Sequence, residues 1–337
     1  MEILVSICIT SYNRVEELLR TLNSIDVEKY ASNIEVIVSE DKSPKREQIY
    51  LVFKEWQSKV KYKTLFNSNE ENLGYDRNLG KLCQLANGKW IIYMSDDDTF
   101  VCNSIDSYIE KLIKKDPALA FTPFVGQGYN RKHSHDYHIN SKTEQHLAKH
   151  LNDAILFSGL TFKKEAIMNI DSNRFLNSYY FQVYLFLNTM YRYGADYIDL
   201  YLIDCTGGGA NGFGLNDSGV KNELIANRQS PLSILAFHKG LYSVVNIFDI
   251  ENGTKIKDLH SHEYTIRQLP HMCRARLAGK ETYKKYLAML DDIGIKLTWE
   301  FKVYKICIRY LGAKISLGLF SIPRRLLLFL KKHKIEI

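Results

Sequence analysis

Regular alternation of apolar runs and amphipathic segments through the first hundred residues constrains this chain more than any other feature. Ile3 to Thr10 reads as a buried strand, and Glu16 to Ile25 as a helix with Leu18, Leu19, Leu22 and Ile25 on one face. Ile34 to Ser39, Val60 to Phe66 and Trp90 to Met94 are further strands. Gln48 to Trp56 and Arg77 to Ala86 are the helices between them, the second stopped by Asn87-Gly88. A β-α-β-α series of this kind predicts an α/β fold, a parallel doubly wound sheet with ligands at the carboxyl ends of its strands.

Those carboxyl ends are polar. Strand one runs into Thr10-Ser11-Tyr12-Asn13-Arg14, strand two into Ser39-Glu40-Asp41-Lys42, and strand three leads to Asn72-Leu73-Gly74-Tyr75-Asp76-Arg77-Asn78. Strand four runs into three aspartates, Asp96, Asp97 and Asp98. Adjacent carboxylates repel one another and are costly to bury unpaired. Two readings fit the triplet: a solvated turn that caps the next helix, or oxygen ligands for Mg²⁺ or Mn²⁺ and the phosphates such ions hold.

Later segments are less regular. Ala118 to Val125, Ile155 to Phe162 and Tyr197 to Cys205 are strand-like, and Leu176 to Tyr193 is a long apolar helix. Residues 127–153 are polar and His-rich and read as an excursion from the sheet. Gly207 to Gly212 matches GxGxxG literally. No apolar helix follows at once, so it reads as a connector or a loop beside the acceptor. Residues 220–295 read as largely helical. The clusters at 133–138 and 260–262 hold histidines capable of binding metal, and His238, His260 or His262 could complete a metal shell.

The six cysteines have no CxxC spacing, which fits a reducing compartment and argues against a zinc or disulfide framework. The start lacks the basic region of a signal peptide, and no 18-residue apolar run exists. The net charge of +7 is unevenly placed. Residues 296–337 carry ten Lys/Arg against two acids, whereas the other 295 residues carry 35 bases and 36 acids. This tail interleaves basic and apolar residues, which fits an anionic membrane surface or a helix packed on the domain. Nucleic acid would use the same charge, but no RNA- or DNA-reading motif accompanies it.

The ordered set Ser6 to Arg14, Glu40-Asp41, Asn72 to Asn78 and Asp96-Asp97-Asp98 resembles family 2 glycosyltransferases of the A-type nucleotide-sugar fold. Its Gly-Tyr-Asp-Arg-Asn version is similar to the abequosyltransferase-like branch of bacterial polysaccharide biosynthesis. The resemblance covers about residues 3–205. It implies transfer of a sugar from a nucleotide-diphosphate donor. Thr10, Tyr12 and Arg14 would line the nucleotide site, Asp41 would read the base and Arg77 would approach the diphosphate. Asp97 would touch the ribose and Asp98 would hold Mg²⁺ or Mn²⁺, with Asp96 as a further ligand. The implied acceptor is a lipid-linked surface oligosaccharide at the inner face of the cell membrane, and the implied stereochemistry is inverting.

The family's base usually lies in a Glu-Asp pair at the start of the long helix, where this chain has Gln182-Val183. Neither side chain accepts a proton at neutral pH. Asp171 and the histidines of the polar segment are the substitutes, unless Gln182 only positions the acceptor. A nucleotidyltransferase would use similar acids, but no glycine-rich, lysine-bearing triphosphate loop opens the chain. A degenerate transferase acting as a membrane scaffold is the other alternative. The expected organisation is a nucleotide-sugar half over 1–105, an acceptor half over 106–215, a helical region over 216–295 and the basic tail over 296–337.

Overall fold

A computed structural model of the protein describes residues 2–126, 135–140, 143–206 and 230–320. Its centre is an eight-stranded sheet of order β3-β2-β1-β4-β9-β6-β10-β8. The parallel half consists of β1 (Val5–Ser11), β2 (Ile34–Glu40), β3 (Lys63–Ser68) and β4 (Trp90–Met94). In the other half β6 (Leu119–Phe121) and β10 (Ala195–Tyr197) pair in parallel. Between them and β4 lies β9 (Thr161–Lys163), antiparallel to both neighbours, and β8 (Tyr137–Ile139) runs antiparallel at the far edge. A small second sheet joins β5 (Thr99–Phe100), β7 (Phe124–Val125) and β11 (Ile203–Asp204) beside the end of β4.

The strand period of two explains the layers. Ile7, Ile9, Val36, Val38, Ile92 and Met94 face one apolar cluster, under the helices α1 (Val15–Asn23), α2 (Arg46–Gln57) and α4 (Ser104–Lys115). Cys8, Ile37, Ile91 and Tyr93 face the opposite cluster, under α3 (Gly74–Leu85) and α7 (Phe181–Tyr193). The helical region continues that second cluster, through Phe248, Met272, Tyr286 and Leu290. Its helices are α8 (Ser233–Asn252), α9 (Ile256–Leu259), α10 (Ser261–Ala278), α11 (Lys280–Asp292) and α12 (Trp299–Tyr310).

Two sequence expectations need correction. Ile155 to Phe162 is not one strand, because pairing begins only at Thr161. Gly159 adopts φ +81°, and a Cβ there would meet Ile203 Cγ1 at 2.8 Å, so the chain turns sharply before β9. Nor is all of 127–153 an excursion. Residues 127–134 lie outside the described residues, but α5 (Glu144–His150) and the 3₁₀ turn Leu151–Ala154 bury Leu147, Leu151 and Ala154. The His-rich composition hides that stripe. α6 (Lys164–Ile167) follows β9 directly. The glycine-rich run at 207–212 and the tail beyond 320 lie outside the described residues.

At the amino edge of the sheet, the turn from α3 to β4 passes close to β1. A Cβ on Gly88 would lie 2.5 Å from the Ser6 amide nitrogen and 2.7 Å from the Val5 carbonyl carbon. Neither backbone atom can move without disturbing the β1 ladder. Gly88→Ala is expected to lower stability by roughly 1–3 kcal/mol, as a shifted urea midpoint with an unchanged slope.

Candidate functional site

β4 ends at Met94, and the next residues turn back over the tip of β1. The three aspartates there point to different partners. Asp96 is 4% exposed. Its Oδ1 accepts from Arg14 Nη1 at 2.7 Å and its Oδ2 from the Tyr12 backbone N–H at 3.0 Å. Asp97 meets the same Arg14 nitrogen at 3.1 Å and also accepts from the Ser95 hydroxyl. Asp98 turns the other way, where Ser158 Oγ donates to its Oδ2 at 2.5 Å and the Cys205 thiol adds a hydrogen bond. Ser158 also accepts from the Ser95 N–H at 3.1 Å. Behind the turn, Thr21 Oγ1 donates to the Asp98 carbonyl at 2.7 Å and Arg20 Nη2 to the Asp97 carbonyl at 3.1 Å.

The electrostatics follow from burial. Desolvation pushes the Asp96 carboxyl up to about 6, although Arg14 works against it. Desolvation also pushes Asp98 up to about 6, with Ser158 opposing and the neighbouring Asp97 adding to the rise. Arg14 also lowers the Asp98 carboxyl, but less than Ser158 does. Asp98 is therefore the least compensated anion of the turn, with hydroxyl and thiol partners and no cation at hydrogen-bond distance among the described residues.

A second cluster lies at the start of α3. Asp41 accepts from the Leu73 N–H at 2.7 Å, the Gly74 N–H at 2.9 Å and Asn69 Nδ2 at 2.9 Å. These bonds make it the cap of α3, and burial raises its carboxyl above the usual range. Arg77 stands one turn into α3, with Nε donating to the Leu73 carbonyl at 2.7 Å. Asn78 locks the helix to β2 through Ser39, at 2.7 and 3.1 Å. Thr10 sits half-buried near the end of β1, paired in register with Ser39.

Asp76 had no role in the sequence reading, yet it ties the two halves of the sheet. It is 2% exposed and accepts from the backbone N–H groups of Ser178, Tyr179 and Phe181 and from the Ser178 hydroxyl, all at 3.0–3.1 Å. Burial still raises its carboxyl to about 6. Asp76 thereby caps α7, whose second residue is Gln182. The acid within Gly-Tyr-Asp-Arg-Asn was the available signal, but its partners lie a hundred residues away.

Gln182 is 1% exposed, and its Nε2 donates to the Ile155 carbonyl at 3.2 Å. Its Oε1 has no hydrogen-bond partner among the described residues. Asp171 lies apart from this group. It is exposed, accepts from the Asn173 N–H at 2.9 Å, and precedes Ser172, which packs on Gly80 midway along α3. His238 bonds to Tyr264, His260 to Tyr242 and Asn152, and His262 to Glu300. Both ring nitrogens of His260 are engaged, so it has no lone pair left for a metal.

Three comparisons with known proteins bear on this geometry. Residues 6–171 match the family model of glycosyl transferase family 2. The chain thereby carries a glycosyl transferase family 2 domain over just under half of its length. It is 33% identical over 103 residues to the abequosyltransferase RfbV of Salmonella typhimurium, a match covering 30% of each protein. That likeness supports the abequosyltransferase-like branch, while the match leaves most of the curated relative's length unspanned. Among solved structures, S. aureus TarS 1-349 with UDP-GlcNAc superposes with a TM-score of 0.52 at 14% identity, covering 86% of this chain and 80% of that one. The same protein with UDP gives 0.51 at 13% identity, covering 80% and 72%. At these identities the likeness is one of fold.

Within the family 2 domain, Tyr12, Arg14, Asp96, Asp97 and Asp98 form one connected group, and Asp41 and Arg77 form a second at α3. Among the described residues no three His, Cys, Asp or Glu side chains converge as a ready metal cluster. The triplet's divergence is the reason. Asp98 nevertheless fits a divalent ion that takes one or two protein carboxylates and completes its shell with phosphates and water. Asp96, with both oxygens held by Arg14 and Tyr12, fits an organising role better.

The raised carboxyls predict a pH dependence. Asp76, Asp96 and Asp98 each hold protons more tightly folded than unfolded, so stability falls as pH rises from about 4 through about 6. Asp98→Asn is expected to raise the thermal midpoint of the ligand-free protein at pH 7 by roughly 2 °C or more, and to flatten its rise on acidification. Differential scanning calorimetry between pH 5 and 7.5 checks both.

Proposed function

We propose that this protein is a metal-dependent glycosyltransferase that moves a sugar from a nucleotide-diphosphate donor to a growing, lipid-linked surface oligosaccharide with inversion. The observation that carries the reading is Asp98: a buried, poorly compensated carboxylate at the carboxyl edge of a family 2 domain. A divalent ion bound there would supply positive charge where the diphosphate departs. The protein's own groups do the positioning. Arg14 fixes Asp96 and Asp97, so that Asp97, the more exposed of these two, is oriented toward a ribose hydroxyl. Asp41 and Asn78 hold α3 so that Arg77 stands beside the donor. UDP and UDP-GlcNAc, which TarS binds, are the first donor chemistries to test.

In this reading Gln182 positions the acceptor, with its buried Oε1 unpartnered among the described residues. The same residue favours a second reading, a degenerate transferase acting as a scaffold, since an amide cannot take the acceptor's proton. Donor hydrolysis or transfer in vitro separates the two. We further place the protein on the inner face of the membrane, through its basic tail over 296–337. No described helix is long and apolar enough to cross a membrane.

A thermal-shift panel of UDP, GDP, CDP and dTDP with and without Mn²⁺ is expected to give one preferred nucleotide whose shift grows with the metal. Asp98→Ala is expected to lose the metal-dependent part and to lower transfer roughly a hundredfold or more, with an unchanged circular dichroism spectrum. Full transfer by that variant would sink the assignment. Gln182→Ala is expected to raise KM for the acceptor more than it lowers kcat, in steady-state assays with acceptor varied.

A further inference from the structure

Between α11 and α12 runs an open groove of about 500 Å³, remote in sequence from the aspartate turn. α11 contributes Lys280, Tyr283, Lys284 and Leu287, spaced as one helical stripe, and α10 contributes Arg276 from its last turn. α12 contributes the matching stripe of Lys302, Lys305, Ile306, Arg309 and Tyr310. Six lining residues are basic and none is acidic. Of the nearby acids, Glu281 pairs with the groove's own Lys284 at 2.8 Å, and Glu300 bonds to His262 at 3.0 Å.

The apolar lining is graded: Ile308 is buried in the core, Tyr283 and Leu287 pack partly buried against it, and the outer members are exposed. Ile306 is 57% exposed and Tyr310 is 73% exposed, while Tyr304 and Ile308 of the same helix are buried. Trp299 lies three, seven and eleven residues before Lys302, Ile306 and Tyr310, on the same face, and is 69% exposed. Solvated lysines usually surround polar neighbours, not bare Trp, Ile and Tyr. Interleaved cations and aromatic or aliphatic tips instead match a bilayer interface, where headgroup phosphates meet the basic residues and the apolar tips enter the acyl boundary.

We propose that this groove is a binding site for anionic phospholipid headgroups, through which the protein docks on a negatively charged bilayer. The inference rests on the membrane reading of the basic tail and adds to it a site half built from α10 and α11, outside that tail. Charge argues against two other occupants. A second copy would bring the same cations, and residues 321–337 carry five Lys/Arg against one acid, so that segment repels the groove as well.

Vesicle flotation with the full chain tests the proposal. The wild-type protein is expected to float with phosphatidylglycerol vesicles and not with phosphatidylcholine, and to release at high salt. Trp299 reports insertion by a blue shift, because the other two tryptophans, Trp56 and Trp90, are 3% and 1% exposed. Lys280→Gln/Lys284→Gln is expected to weaken partitioning roughly thirtyfold, from about 1 kcal/mol for each basic residue at the surface. Lys302→Gln/Lys305→Gln on the facing helix is expected to do the same, and all four positions are exposed, so thermal midpoints stay unchanged. If wild type floats and both variants float equally well, the groove assignment fails while the tail reading stands. If wild type does not float, both fail. Release by inorganic phosphate at constant ionic strength would reveal a free-phosphate site, and preference for duplex DNA over vesicles would overturn the lipid assignment.

Discussion

The carboxyl edge of this fold is organised around the cost of burying anions. Asp76, Asp96 and Asp98 are each nearly closed off from water, and an uncompensated carboxylate in such a place is among the most expensive groups a protein can hold. Each is offset differently. Asp96 has a guanidinium and a backbone N–H, Asp76 has three backbone N–H groups and a hydroxyl, and Asp98 has, among the described residues, a hydroxyl and a thiol. The first two are anchors. The third is left with charge to share, and that difference separates architecture from chemistry within one short stretch of chain.

The inner strands of the parallel half were legible in the sequence because β1, β2 and β4 are buried on both faces and the helices between them carry clear apolar stripes. β1, β2 and β4 and the helices between them fall within a few residues of where the periodicity puts them. The second half was harder to read for a physical reason. Its strands are two or three residues long, too short for a period to register, and β9 enters antiparallel from a turn that only Gly159 can make. Short strands are fixed by the neighbours they pair with, and those neighbours are distant in sequence.

The candidate site divides in the same way. The aspartate turn, Arg14 and Asp41 were visible as polar groups at strand ends. What each one touches was not. Asp41 looked like a ligand-reading acid, and the structure places it on the first amides of α3. Ser158 looked like part of a strand, and it holds Asp98. Asp76 looked like a helix residue between more conspicuous neighbours, and it caps α7. Spacing reveals which groups share an edge; it does not reveal which of them are already engaged there.

The Asp76 cap has a consequence for how such an enzyme could diversify. Asp41 fixes the start of α3, the next turn of α3 presents Arg77, and Asp76 between them fixes the start of α7 and hence Gln182. If Arg77 faces the donor and Gln182 the acceptor, as proposed, the two are bolted to one another through a single carboxylate. On that proposal, a lineage that altered its sugar by reshaping the Gly-Tyr-Asp-Arg-Asn turn would also move the start of α7. New linkages on this scaffold would then arise as matched pairs of donor and acceptor, not by changing one partner at a time.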